Sequence, residues 1–220
     1  MISSPDKPIR FSGSKQAKQK RLVAFSFDDG PEKRILPLLD TLEERNIRAT
    51  FFWMVDKAIR LSGEDHGLFN EILVRLKEGG HEIGLHTPYD YKASFISRFI
   101  GKFSEKDIGE AKRNLEEVTG FNINLYRPHY FHVGPYLFYI RNLGMTIVLG
   151  DFLHSAQADA PVKIQVRKFS GAVPGSILIF HDGISLSREH THVLEVLPQV
   201  IDNLKNRGLM PVSISEVFKD

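Results

Sequence analysis

The chain has 220 residues, 42% hydrophobic and 25% charged, enough for one domain with a sizeable core and unlike a disordered or fibrous protein. It contains no cysteine, which excludes thiol nucleophiles, disulfides, Cys-ligated zinc and iron–sulfur clusters and leaves both redox compartments open. Of the net charge of +2, the first 21 residues hold +5 (six basic side chains against Asp6) and the remainder −3, so the domain proper is slightly acidic, where a nucleic-acid binder is expected to concentrate positive charge.

Residues 1–20 are polar and without apolar periodicity, which predicts a basic, flexible tail ahead of a domain over 21–220. No apolar run reaches the roughly 18 residues of a membrane span. The N-terminus lacks a charged-then-apolar leader, leaving the cytoplasm or an exported form without its leader as alternatives.

From Arg21 to Phe27 an apolar run predicts a buried strand, stopped by Asp28-Asp29-Gly30-Pro31. Ile35, Leu38, Leu39 and Leu42 share one face of a helix over 35–45. Ala49 to Val55 predicts a second strand, and Leu68 to Lys77 a helix ended by Gly79-Gly80. His81 to Leu85 predicts a short strand. Ser104 and Asp107 form a capping box that opens a helix to Thr119, where Gly120 ends it. Beyond it the pattern predicts strands over 122–126, 145–149, 176–180 and 210–213, and helices over 135–142, 160–169 and 191–206.

Apolar strands alternating with amphipathic helices indicate a parallel sheet covered by helices. About seven such units predict an α/β distorted barrel, with a doubly wound open sheet as the alternative. No dinucleotide fingerprint, P-loop or nucleophile elbow supports the usual open-sheet chemistries.

In parallel α/β folds, function gathers at the C-terminal ends of the strands. Here those ends carry Asp28-Asp29, His86 with Asp90, Arg127-Pro128-His129, Asp151 and His181-Asp182. Each signal alone has a plain structural reading: Asp before Gly favours turns, and a lone His or Arg is often a satisfied core group. Five such groups on five strand ends are hard to place by accident. His86 and Asp90 stand i, i+4, one face of a helical turn, and imidazole with carboxylate suits zinc or another divalent first-row ion. His81 opens a strand, at the wrong end for chemistry. His129, His132 and His154 have no spacing that identifies a role.

With these residues in view, the sequence resembles the polysaccharide deacetylases, the NodB-homology domains of carbohydrate esterase family 4, from about Arg21 to Phe218. Ser26-Phe27-Asp28-Asp29-Gly30-Pro31 matches the first motif and Gly80 to Thr87 the second. Arg127-Pro128 matches the start of the third, and Ile179-Phe180-His181-Asp182 the fifth. The resemblance implies a distorted barrel with one divalent metal, usually zinc or cobalt, with manganese or iron as alternatives. It makes Asp29 and His86 ligands, Asp28 the general base, Arg127 its tuning partner and His181 the general acid.

Three positions depart from the family's pattern. Asp90 stands where a second ligand His is usual and is expected to ligate in its place, with a nearby His such as His129 or His132 as the alternative. The third motif continues His129-Tyr130 in place of Pro-Tyr or Pro-Trp. The fourth has Asp151 without Trp, which makes Asp151 or His154 the candidate for a tuning role. The implied activity is removal of N-acetyl groups from an N-acetylglucosamine-containing glycan. A small-amide hydrolase of the same mechanism and an inactive carbohydrate-binding relative are the alternatives.

Overall fold

Strands in this chain alternate between two environments, and that alternation positions everything else. The computed structural model describes residues 9–91, 103–131, 136–151, 153–184 and 191–219. The elements run β1 (Ile9–Arg10), α1 (Lys15–Gln19), β2 (Leu22–Gly30), α2 (Ile35–Glu44), β3 (Thr50–Met54), α3 (Val55–Glu64), α4 (His66–Glu78) and β4 (Glu82–Thr87). Then follow α5 (Glu105–Thr119), β5 (Leu125–Tyr126), a 3-10 turn (His129–Phe131), α6 (Tyr136–Asn142), β6 (Thr146–Val148), α7 (Val162–Ser170), β7 (Ile177–His181), α8 (Val193–Asn206), β8 (Met210–Val212) and α9 (Ile214–Phe218).

The strands form one eight-stranded parallel sheet in the order β1-β6-β5-β4-β3-β2-β7, with β8 also paired to β2. The expected α/β class and parallel sheet are present. The barrel curls without closing: β1 and β7 end the ladder. Among the described residues a backbone bond, Asp151 N–H to the Ile177 carbonyl at 2.9 Å, reaches across from the β6 side to β7. Gly150 permits that approach, since a Cβ there would lie 2.0 Å from Ile179 Cδ1.

Residues of one strand parity, Val23, Phe25 and Phe27 on β2, Phe51 and Trp53 on β3, Leu178 and Phe180 on β7, join the large core beneath the helices. The other parity faces the barrel interior, where Ala24, Phe52, Leu125, Val148 and Ile177 form a second apolar layer. Above that layer the same parity turns polar: Ser26 and Asp28 on β2, His86 on β4, His181 on β7. The alternation was masked in sequence because Gly84 and Ile179 keep the runs apolar to the eye.

The expected tail is corrected over residues 9–20. Ile9 and Arg10 pair with β6, and Gly13 N–H donates to the Gly175 carbonyl at 2.8 Å. Ser14 caps α1, whose Ala17 is buried against Ile214 and Val217 of α9. These two short helices cover the lower interior layer, which is why a polar, five-residue helix with one apolar position is stable there. Helix α3, which starts directly after β3, was also not expected. Helix α5 matches its reading, with a complete Ser104–Asp107 capping box and Gly120 at φ 66°.

His81 is a structural residue, as its place at the start of a strand suggested. Its Nδ1 accepts the Ala49 N–H at 3.1 Å, and its ring meets Phe51 edge-on. Burial pushes its pKa down to about 4 from the ordinary 6.5. A His with a depressed folded pKa contributes stability above its unfolded pKa, and that contribution fades as pH falls through the folded value. At most about 3 kcal/mol should therefore be lost between pH 6.5 and 4. Thermal unfolding across that range should show a flatter profile for His81→Gln than for the parent. An identical slope in the two would mean that other groups carry the acid sensitivity.

Candidate active site and metal centre

The C-terminal end of the sheet opens into a cavity of about 820 Å³ whose lining includes Asp28, Asp29, His86, His129 and His181. Each comes from a strand end or the turn after it. Consecutive strand residues normally point to opposite faces. Asp28 and Asp29 nevertheless both reach this cavity, because the β2–β3 register slips between Asp28 and Gly30 and Asp29 takes a left-handed φ of 73°. A β-bulge thus turns two adjacent carboxylates into one site.

Asp28 is braced from below. Arg127, fully buried, donates from Nη1 to Asp28 Oδ1 at 2.6 Å and to Ser26 Oγ at 2.8 Å, and from Nε to the Val148 carbonyl at 3.2 Å. Its guanidinium lies 4.1 Å over the Phe52 ring. Burial pulls the Arg127 pKa below its usual value, against the opposing pull of Asp28. Across the sheet, Asp28 stands in direct register with His181 on β7, so both side chains belong to the same interior column.

Three donor atoms converge beside this pair. His86 Nε2 lies 3.3 Å from Asp29 Oδ1, His129 Nδ1 lies 2.9 Å from His86 Nε2, and His129 Nδ1 lies 3.7 Å from Asp29 Oδ1. All three residues are buried. Tetrahedral ligands at about 2.1 Å from a metal stand about 3.4 Å apart, and the triangle brackets that value. His86 Nδ1–H donates to the Arg127 carbonyl at 2.8 Å, which leaves Nε2 as a lone pair aimed into the triangle. One carboxylate and two imidazoles suit a divalent first-row ion, so the residues fit the metal that the sequence led one to expect.

The third donor is His129, in the position expected for Asp90. Strand β4 continues through Thr87 and Pro88 follows, so no helical turn puts His86 and Asp90 on one face. Asp90 instead stands behind His129, its Oδ1 3.9 Å from His129 Nε2. In the sequence His129 stands only as an alternative to Asp90. The signal that points to it is its place directly after Arg127-Pro128 at a strand end, together with the missing histidine four residues beyond His86. His132 lies outside the described residues.

Asp151 and His154 do not line the cavity. Asp151 Oδ2 pairs with His154 Nδ1 and accepts from Ser176 Oγ, both at 2.6 Å, while Oδ1 accepts the N–H groups of Leu153 and His154. Partial burial pushes the Asp151 carboxyl up, but the Ser176 and His154 bonds outweigh it and hold it below its ordinary value. These contacts brace the turn after β6, and among the described residues no hydrogen bond links Asp151 or His154 to Asp28. Asp182, next to His181, is buried, with both carboxylate oxygens lacking a hydrogen bond among the described residues. Burial pushes it well above the usual carboxylate range.

Comparison with known proteins follows the same outline. The chain is 26% identical over 210 residues to a bifunctional xylanase/deacetylase of Pseudobutyrivibrio xylanivorans, covering 94% of this chain and 32% of that protein. It is 25% identical to the peptidoglycan-N-acetylglucosamine deacetylase of Listeria monocytogenes, covering 92% of this chain and 40% of that one. The chain thus spans less than half the length of these relatives. Among solved structures, a family 4 acetyl xylan esterase from Clostridium thermocellum in complex with a cobalt ion superposes with a TM-score of 0.71 at 25% identity, over 89% of each chain. The sequence model for polysaccharide deacetylases matches residues 15–148, from α1 through β6 and across the ends of β2, β4 and β5 that bring Asp28, Asp29, His86 and His129 to the cavity, and the chain belongs to that family.

Proposed function

We propose that this domain is a metal-dependent hydrolase that removes N-acetyl groups from an N-acetylglucosamine-containing oligo- or polysaccharide. The observation that carries the reading is the joint placement of an Arg-braced carboxylate, a facing histidine and a three-donor triangle at one cavity. A binding module needs no such set.

Asp29, His86 and His129 would hold a divalent ion, which would supply Lewis-acid activation of a water and of the acyl carbonyl. Asp28 has Oδ1 occupied by Arg127 and keeps Oδ2 to take the proton of the attacking water. His181, across the ladder from Asp28, delivers a proton to the departing amine nitrogen as the C–N bond breaks. The proton balance closes: the water contributes hydroxide to the acyl carbon, and the products are acetate and a free amine. Arg127 positions the base. Asp151 and His154 serve the fold beyond β6.

The cavity extends past the reacting groups to Tyr130, Gln157, Asp159 and Lys168. An aromatic face with polar neighbours suits a sugar ring. The peptidoglycan-N-acetylglucosamine deacetylase among the relatives and a chitin deacetylase of Arthroderma benhamiae support a glycan amide as substrate. Zinc or cobalt suits the donor set.

The test is acetate release from N-acetylglucosamine oligomers by metal-loaded protein. Release is expected, with loss on chelation and recovery with zinc or cobalt. Release only from acetylated xylan would move the substrate to an ester, and release only from small N-acyl compounds to a non-sugar amide. No release from any of them would overturn the enzymatic reading.

A further inference from the structure

Lys57 is a buried cation that the reaction does not use. It is 6% exposed and sits in the first turn of α3. Its Nζ donates to the Asp29 carbonyl at 2.8 Å, to Glu32 Oε1 at 3.1 Å and to the Ile184 carbonyl. An ammonium has three donors, and all three are used. Two of the acceptors are backbone oxygens, one at the C-terminal end of β2 and one on the loop that follows β7. The end of β2 carries the two aspartates, and β7 ends on His181.

The same two loops touch at van der Waals limits. A Cβ added at Gly183 would lie 1.8 Å from the Asp29 carbonyl oxygen, and one at Gly30 would lie 2.4 Å from the Asp182 carboxylate. The Asp28 carbonyl accepts from the N–H groups of Asp182 at 3.2 Å and Gly183 at 3.4 Å. The Asp29 peptide is turned the other way, onto Lys57, by its left-handed φ of 73°. That conformation is unfavourable for a residue with a Cβ and persists where the surroundings hold it. Without it, Asp28 and Asp29 would face opposite sides of the sheet.

We propose that Lys57 is a positioning residue: by binding the Asp29 and Ile184 carbonyls together, it maintains the bulge that aims Asp28 and Asp29 into one cavity and sets their spacing from His181. A lysine serves here because a compact ammonium can satisfy three converging oxygens. The inference rests on Asp29 being a metal ligand, as assigned above, for its effect on metal. Its effect on the backbone is independent of that assignment.

The experiment compares Lys57→Met with the parent by crystal structure, by competition of zinc with a chromophoric chelator, and by circular dichroism. In the variant, Asp29 should leave the left-handed region and its carboxylate should move away from His86 and His129. Zinc affinity should fall about 10–100-fold, the usual cost of losing a group that orients a ligand. Lys57→Arg, which keeps the charge and N–H donors, should recover part of it. If Lys57→Met fails to fold, Lys57→Gln, a shorter and uncharged side chain with two amide N–H donors in place of three, is read the same way. Asp29 unchanged at a φ near +70° with parental zinc affinity would overturn the proposal, whatever the melting temperature. A parent that shows this dependence yet releases no acetate would leave Lys57 in its role and sink the proposed function. Should the parent take up no zinc, the Asp29 backbone in the variant decides.

Discussion

Asp28→Asn is expected to lower kcat by about 10²–10⁴-fold, the usual cost of one general base, with fold and metal content retained. The amide keeps the shape of the carboxylate and can still accept from Arg127 through its oxygen, so the brace at 2.6 Å has a partner. What it loses is the ability to take a proton at neutral pH. The expectation is a fall in kcat with a smaller change in KM, since the missing interaction belongs to the transition state. Metal analysis of the same variant makes the test specific. A variant that loses its metal would make Asp28 a ligand and exchange the roles of the two aspartates. Near-parental turnover would remove Asp28 from the mechanism.

The second large effect concerns the ligand set. His129→Ala should weaken metal binding by more than the roughly 10–100-fold that an orienting residue costs, and should abolish acetate release at ordinary metal concentrations. Its Nδ1 is one corner of the donor triangle, 2.9 Å from His86 Nε2 and 3.7 Å from Asp29 Oδ1. Asp90→Ala should fall within or below that range, because Asp90 stands behind His129, its Oδ1 3.9 Å from His129 Nε2 on the ring edge away from the triangle. Isothermal titration with zinc orders the two variants. If Asp90→Ala costs more than His129→Ala, the carboxylate is the ligand and the histidine its support. That outcome would restore the i, i+4 reading of His86 and Asp90.

The relation between this sequence and its chemistry divides along a physical line. Local signals carry the elements: apolar runs mark β2, β3 and β7, and a capping box with a left-handed glycine bounds α5. They also carry the rule that chemistry sits after the strands, and with it Asp28, Asp29, His86, Arg127 and His181. A strand end is a local property, and so is the residue type that follows it. Short elements were not legible where local signals are weak. Strand β1 and helix α1 are stable because β1 extends the sheet beside β6 and α1 covers the floor of the barrel, a gain that no window of 20 polar residues contains.

The ligand set needed the tertiary structure for the same reason. The sequence by itself determined that a carboxylate and an imidazole would meet at this end of the sheet, because strand order and the crossover rule allow little else. It could not decide whether Asp90 or His129 completes the triangle. Asp90 is four residues from His86 along the chain and His129 is 43, and along a chain the nearer candidate is favoured. In space β4 and β5 are adjacent, with the Arg127 N–H bonded to the Leu85 carbonyl at 2.9 Å, so the turn after β5 brings His129 to His86 directly. The bulge at Asp29 is a second case. Two adjacent aspartates on a strand predict opposite faces, and only packing against the β7 loop and Lys57 holds the left-handed residue that puts both in one cavity.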